Sequence, residues 1–144
     1  VGVDSPGRPL TLDHIGLAVE DLPSAAAELS RRLGVPAGPP ERIGADGIEV
    51  SFLEMGQQSV ELLAPTGPES SIARFLARRG PGIHHVAFRV HDIRSELSRW
   101  EELGARLIDV EPRLGSRGRL VAFIHPATEN GVLTELVQVQ KGSG

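Results

Sequence analysis

A repeat runs through this chain, and it limits the fold more than any local preference, because each copy must be the same structural unit. The segment Asp13-His14-Ile15-Gly16-Leu17-Ala18-Val19-Glu20-Asp21-Leu22 returns as His84-His85-Val86-Ala87-Phe88-Arg89-Val90-His91-Asp92-Ile93, with His14 and His85 at an offset of 71. Leu33-Gly34 returns as Leu103-Gly104 at an offset of 70, and Val60-Glu61-Leu62-Leu63 as Thr134-Glu135-Leu136-Val137 at an offset of 74. So small a drift indicates loop insertions between elements that are otherwise kept.

Each copy reads as one strand, one helix and three strands, which makes the chain α+β. Runs rich in β-branched residues and leucine predict strands over Leu12–Val19, Ile48–Met55 and Ser59–Leu63, with counterparts over Ile83–Val90, Arg119–His125 and Val132–Val139. The helices begin at Asp21 or Pro23 and at Asp92, and end at Gly34 and Gly104, which can take the left-handed conformation after a last turn. A fourth strand in each copy is expected near Pro36–Ile43 and Leu107–Pro112, where proline marks a sheet edge. Between the copies, Ser70–Arg79 places Ile72, Phe75 and Leu76 on one helical face, a connecting helix that packs on the sheet. The expected organisation is a tail over 1–9, a first module over 10–66, the connecting helix over 67–81, a second module over 82–140 and a tail over 141–144.

Composition removes several function classes. The chain of 144 residues has no cysteine, so a disulfide scaffold or thiolate metal site is excluded and any metal must sit on imidazole and carboxylate. A formal net charge of −4, no tyrosine and a single tryptophan supply neither the basic field nor the stacking surface that nucleic-acid binders use. The apolar runs are strand-length, far short of the roughly 20 residues of a membrane span, and no signal-peptide core opens the chain. The expectation is a cytoplasmic protein with no membrane partner.

Strand alternation then separates the polar residues. His14 shares a face with Leu12 and Gly16, opposite Asp13, Ile15 and Leu17, and the repeat gives His85 the same orientation. Glu61 and Glu135 sit between apolar neighbours that point away from them, so both glutamates share the concave side with the histidines. A carboxylate placed there is costly to bury unless it is paired or bound to a cation. Two imidazoles and two carboxylates, each pair at equivalent places in two copies, form a ligand set suited to zinc, cobalt, nickel, manganese or iron. His84, His91 and His125 lack this symmetry and read as structural or solvated.

With these residues in place, the chain resembles the methylmalonyl-CoA epimerases of the vicinal oxygen chelate (glyoxalase-like) superfamily over nearly all of Leu10–Gln138. The resemblance rests on Asp13-His14-Ile15-Gly16, on Glu61-Leu62-Leu63-Ala64-Pro65-Thr66 followed by Ser71-Ile72-Ala73, on Gly82-Ile83-His84-His85, and on His125-Pro126 with Gly131-Val132-Leu133-Thr134-Glu135-Leu136. It implies two tandem βαβββ modules forming a cupped, mixed sheet around a metal site with helices on the outer face, often in a homodimer. It carries the metal ligands onto His14, Glu61, His85 and Glu135, with one divalent ion per chain, Co2+ first and Zn2+, Ni2+ or Mn2+ as alternatives.

The implied reaction epimerises the carbon between a thioester and a carboxylate of an acyl-CoA, with Glu135 combining ligation and acid–base work. Some epimerases place a second glutamate three residues after the glycine matching Gly47. Val50 stands there in this chain and Glu49 is its neighbour, which alternation turns to the opposite face unless a bulge intervenes. Ser116, Arg117 and Gly118 resemble a substrate-contacting loop, and Arg113, Arg117 and Arg119 are candidates for coenzyme A phosphates. A glyoxalase I-like lyase and a metal-free binding protein on the same modules are the competing readings. An extradiol dioxygenase fits less well, since four protein ligands leave little room for substrate and oxygen.

Overall fold

A computed structural model of the chain describes residues 9–139. The two expected tails, Pro9 apart, lie outside the described residues. Those described divide into two compact units, one spanning His14–His84 and the other joining the residues up to Asp13 with those from His85 onward.

In the first unit the order is β1 (Thr11–Ala18), α1 (Leu22–Leu33), β2 (Glu41–Ile43), β3 (Ile48–Met55), β4 (Gln58–Pro65) and α2 (Ser71–Arg79), and the strands lie side by side as β2-β3-β4-β1. β1 runs parallel to β4, with Gly16 opposite Glu61, and β3 pairs antiparallel with β4, with Phe52 opposite Glu61. Alternation gives the sheet two apolar faces. Leu17, Leu53, Leu62 and Ala64 pack under α1 through Leu22, Ala25, Ala26 and Leu29. Ala18, Val50, Phe52 and Leu63 pack on the other side against Ile72 and Phe75 of α2. α1 begins where the expectation put it, at Asp21, whose side chain accepts from Ser24 N, and it ends at Gly34 with φ 74°. Hydrogen bonds from Ser24 hold the Asp21 carboxyl below its ordinary range, and Ser95 does the same for Asp92.

The second unit repeats the plan with β5 (Gly82–Val90, of which the residues from His85 belong here), α3 (Ile93–Glu102), β6 (Arg113–Leu114), β7 (Leu120–Ile124) and β8 (Thr134–Gln138), ordered β5-β8-β7-β6. β5 is parallel to β8, with Ala87 opposite Glu135, and β7 is antiparallel to β8, with Phe123 opposite Glu135. Ile93 and Leu97 of α3 cover Val90, Ala122, Ile124 and Leu136, while Ala87, Val121 and Val137 lie on the opposite face. Two βαβββ modules with α1 and α3 on one face of their sheets are the α+β architecture expected from the repeat. Among the described residues no helix is long and apolar enough to cross a membrane.

The edge strands are where expectation and structure part. Over the predicted Pro36–Ile43 only Glu41–Ile43 forms a strand, with a lone bridge from Ala37 to Leu53. Pro36, Pro39 and Pro40 remove ladder donors there. The predicted Leu107–Pro112 is not a strand either: it keeps one bridge, Leu107 to Ile124, and pairing resumes only at Arg113–Leu114. Ile108 N and Asp109 N both donate to Phe123 O, at 2.9 and 3.2 Å, and Asp109 Oδ2 accepts from Phe123 N at 2.8 Å. That doubled donation is a bulge, and a side chain replaces the next ladder bond.

Candidate metal centre

In the first unit, β1 and β4 bring His14 and Glu61 onto one face, with Nε2 of His14 3.2 Å from Oε1 of Glu61 and both side chains almost fully buried. In the second, β5 and β8 do the same for His85 and Glu135, at 3.1 Å. The pairing follows from parallel register. Each glutamate lies opposite the residue two after its histidine, Gly16 or Ala87, and so shares the histidine's face.

These distances fit a metal bite. Two donors bound to one ion at about 2.0–2.2 Å stand about 3 Å apart when they subtend a right angle, and about 3.5 Å at the tetrahedral angle. The donor set has the right chemistry as well, since neutral imidazole and carboxylate suit divalent first-row ions. His14 with Glu61 in the first unit, and His85 with Glu135 in the second, are each a buried pair of side chains of the kind that ligates a metal ion.

An aromatic ring backs each histidine, a feature the sequence reading missed. Phe52 meets His14 edge to face at a centroid distance of 5.9 Å and 88°, and Phe123 meets His85 at 5.6 Å and 90°. Phe52 and Phe123 are separated by the same 71 positions as the two histidines, a signal present in the repeat. The rings fix imidazole orientation and exclude water from that side.

The remaining candidates are placed differently. Val50 packs in the apolar cluster on the His14 side, opposite Leu63. Glu49 lies opposite Ala64, on the α1 face, and its carboxylate stands 3.7 Å from Arg42. Ser116 is buried in a tight turn, while Arg117 is exposed with φ 59° and Gly118 has φ 68°. The turn starts at a glycine because a Cβ on Gly115 would come within 2.9 Å of Val121 Cγ1. Arg113 stacks over Phe123 at 5.6 Å, and Arg119 is engaged by Asp13 at 3.0 Å. Of the other histidines, His84 packs on Phe75, and His125 caps a turn by accepting from Ala127 N at 2.9 Å.

Comparison with known proteins gives the family. Residues 13–123 match the model of the Glyoxalase/Bleomycin resistance protein/Dioxygenase superfamily. An ethylmalonyl-CoA/methylmalonyl-CoA epimerase of Cereibacter sphaeroides is 41% identical over 130 residues, which cover 89% of this chain and 97% of that protein. A solved variant of Streptomyces coelicolor methylmalonyl-CoA epimerase, in complex with 2-nitronate-propionyl-CoA, superposes with a TM-score of 0.88 at 33% identity, over 92% of this chain and 97% of its own. A methylmalonyl-CoA epimerase in complex with methylmalonyl-CoA and NH4+ gives 0.87 and 33% over the same shares. With its repeated βαβββ module and its His/Glu pair in each half, the chain belongs to the glyoxalase/bleomycin resistance protein/dioxygenase superfamily and, within it, to the methylmalonyl-CoA epimerase family of enzymes.

Proposed function

We propose that the protein interconverts (R)- and (S)-methylmalonyl-CoA in the cytoplasm, as a homodimer. One divalent ion per chain is held by His14, Glu61, His85 and Glu135. Cobalt is the first choice, with zinc, nickel or manganese as alternatives. The observation that carries the reading is the buried imidazole–carboxylate pair at metal-bite distance in each half. The acyl-CoA substrate is drawn from relatives that cover nearly all of this chain.

When bound, the ion supplies a Lewis acid for substrate oxygens, which stabilises negative charge developing on the thioester. Glu135 takes the proton from the carbon between thioester and carboxylate: the C–H bond breaks, its electron pair moves toward the thioester oxygen, and the carboxylate gains the proton. Return of a proton to the opposite face of the planar enolate completes inversion. Val50 puts an alkyl group at the position where some epimerases carry a second glutamate, so a water or another group serves as the partner acid. Ser116, Arg117 and Gly118 hold a substrate oxygen, and the apolar cluster around Phe52 and Val50 keeps water from the reacting face.

Metal analysis combined with deuterium exchange at the α-carbon of methylmalonyl-CoA tests this. The expected result is about one divalent ion per chain and exchange that stops on chelation. Turnover of methylglyoxal with glutathione in place of that exchange would replace the proposal with a lyase.

Glu49→Gln is expected to leave most of the exchange activity, because Glu49 lies on the α1 face beside Arg42. A loss of about 100- to 10,000-fold, the range for removal of a general acid or base, would show that Glu49 moves the second proton.

A further inference from the structure

Asp13 stands immediately before His14 and is 3% exposed. Its Oδ1 accepts from Nε of Arg89 at 2.9 Å and from Nη1 of Arg119 at 3.0 Å. The two arginines are themselves mostly covered, with side chains 26% and 16% exposed. Burying a carboxylate with two guanidiniums carries a large desolvation cost, and such clusters are frequently no more stable than apolar packing of equal volume. What the cluster does provide is a defined geometry.

That geometry joins two parts of the candidate site. Arg119 closes the turn formed by Gly115, Ser116, Arg117 and Gly118: its carbonyl accepts from Gly115 N at 2.8 Å and its N–H donates to Ser116 O at 3.3 Å. Its Nε is buried without a hydrogen-bond partner among the described residues, so the bond from Nη1 to Asp13 carries its anchoring. Arg89 lies two residues beyond Ala87 on β5 and therefore shares the His85 face of that strand. We infer that Asp13, gripped by Arg89 and Arg119, is a positioning residue: it ties the backbone just before His14 to the end of the Ser116–Gly118 turn and so sets the loop that receives the acyl-CoA. The acyl-CoA part of this inference rests on the proposed function above.

The test compares Asp13→Asn and Arg119→Lys with Glu96→Gln. Glu96 is an equally buried carboxylate, 1% exposed, bonded to Arg99 at 2.8 Å and Trp100 at 3.2 Å on α3, away from the turn. Asparagine keeps the shape of Asp13 but not its charge, and lysine keeps the charge of Arg119 but not its planar fork. Amide hydrogen exchange over residues 113–119 of the ligand-free protein should rise about tenfold or more in both clamp variants and stay within about twofold in Glu96→Gln at matched global stability. The KM for methylmalonyl-CoA should rise more than kcat falls in the clamp variants, the signature of lost substrate placement, and should not move in the control.

If Asp13→Asn fails to fold, Arg119→Lys carries the same comparison. Equal loosening of the turn in Glu96→Gln, or none in the clamp variants, overturns the inference. Absence of any α-proton exchange by the unmodified protein would instead overturn the proposed function, while amide exchange over the turn would still decide the clamp.

Discussion

His14→Ala is expected to empty the protein of its divalent ion under dialysis conditions in which the unmodified protein keeps about one equivalent. The substitution removes the donor that stands 3.2 Å from Glu61 and leaves that carboxylate buried without its imidazole partner. Changing a group that merely orients a ligand lowers metal affinity by roughly 10- to 100-fold, so deleting the ligand itself should cost more. His85→Ala should do the same, because the second half repeats the pair at 3.1 Å. His84→Ala is the matched control: His84 is adjacent in sequence, but its ring packs on Phe75 at 5.1 Å, and alternation turns it away from the pair. Elemental analysis of the three variants after identical dialysis decides the matter. Metal retained in His14→Ala, or lost equally in His84→Ala, would remove the histidine assignment.

The two histidines stand out in the sequence because of the repeat. A lone strand histidine carries little information, but two histidines and two glutamates at equivalent places on one side of the sheet are legible from spacing and alternation, whereas the parallel pairing that sets each glutamate beside its histidine comes from the fold. Both helix caps were legible too, since Asp21 and Asp92 accept from Ser24 N and Ser95 N, three residues on. The edge strands were not, because their ends depend on contacts distant in sequence. The turn of chain at Ile108 and Asp109 is decided by Phe123, whose carbonyl takes both their amides. Asp13 illustrates a different limit. Alternation puts it on the mostly apolar face of β1, and nothing local in the sequence shows that Arg89 and Arg119, 76 and 106 positions away, reach its carboxylate. Phe52 and Phe123 were legible in principle, at the same offset as the histidines, but a phenylalanine in a strand ordinarily signals core packing alone.

Glu135→Gln should separate the two duties assigned to that residue. Its side chain stands 3.1 Å from His85 Nε2 on a buried strand face, opposite Phe123. An amide of nearly the same shape still offers one oxygen to a cation, so metal content should fall only partially. It cannot accept a substrate proton near neutral pH, so α-proton exchange should drop by about 100- to 10,000-fold, the range for loss of a general base. Glu61→Gln makes the informative comparison. Glu61 occupies the equivalent place beside His14, yet only Glu135 is assigned proton transfer, so Glu61→Gln should reduce exchange mainly in proportion to lost metal. Metal content and deuterium incorporation measured on the same preparations give activity per bound ion, which corrects for any difference in loading. Full activity per ion in Glu135→Gln would show that another group takes the proton. Equal losses per ion in both variants would mean that the two halves of the repeat share the acid–base work, as their near-identical pairs at 3.2 and 3.1 Å make geometrically feasible.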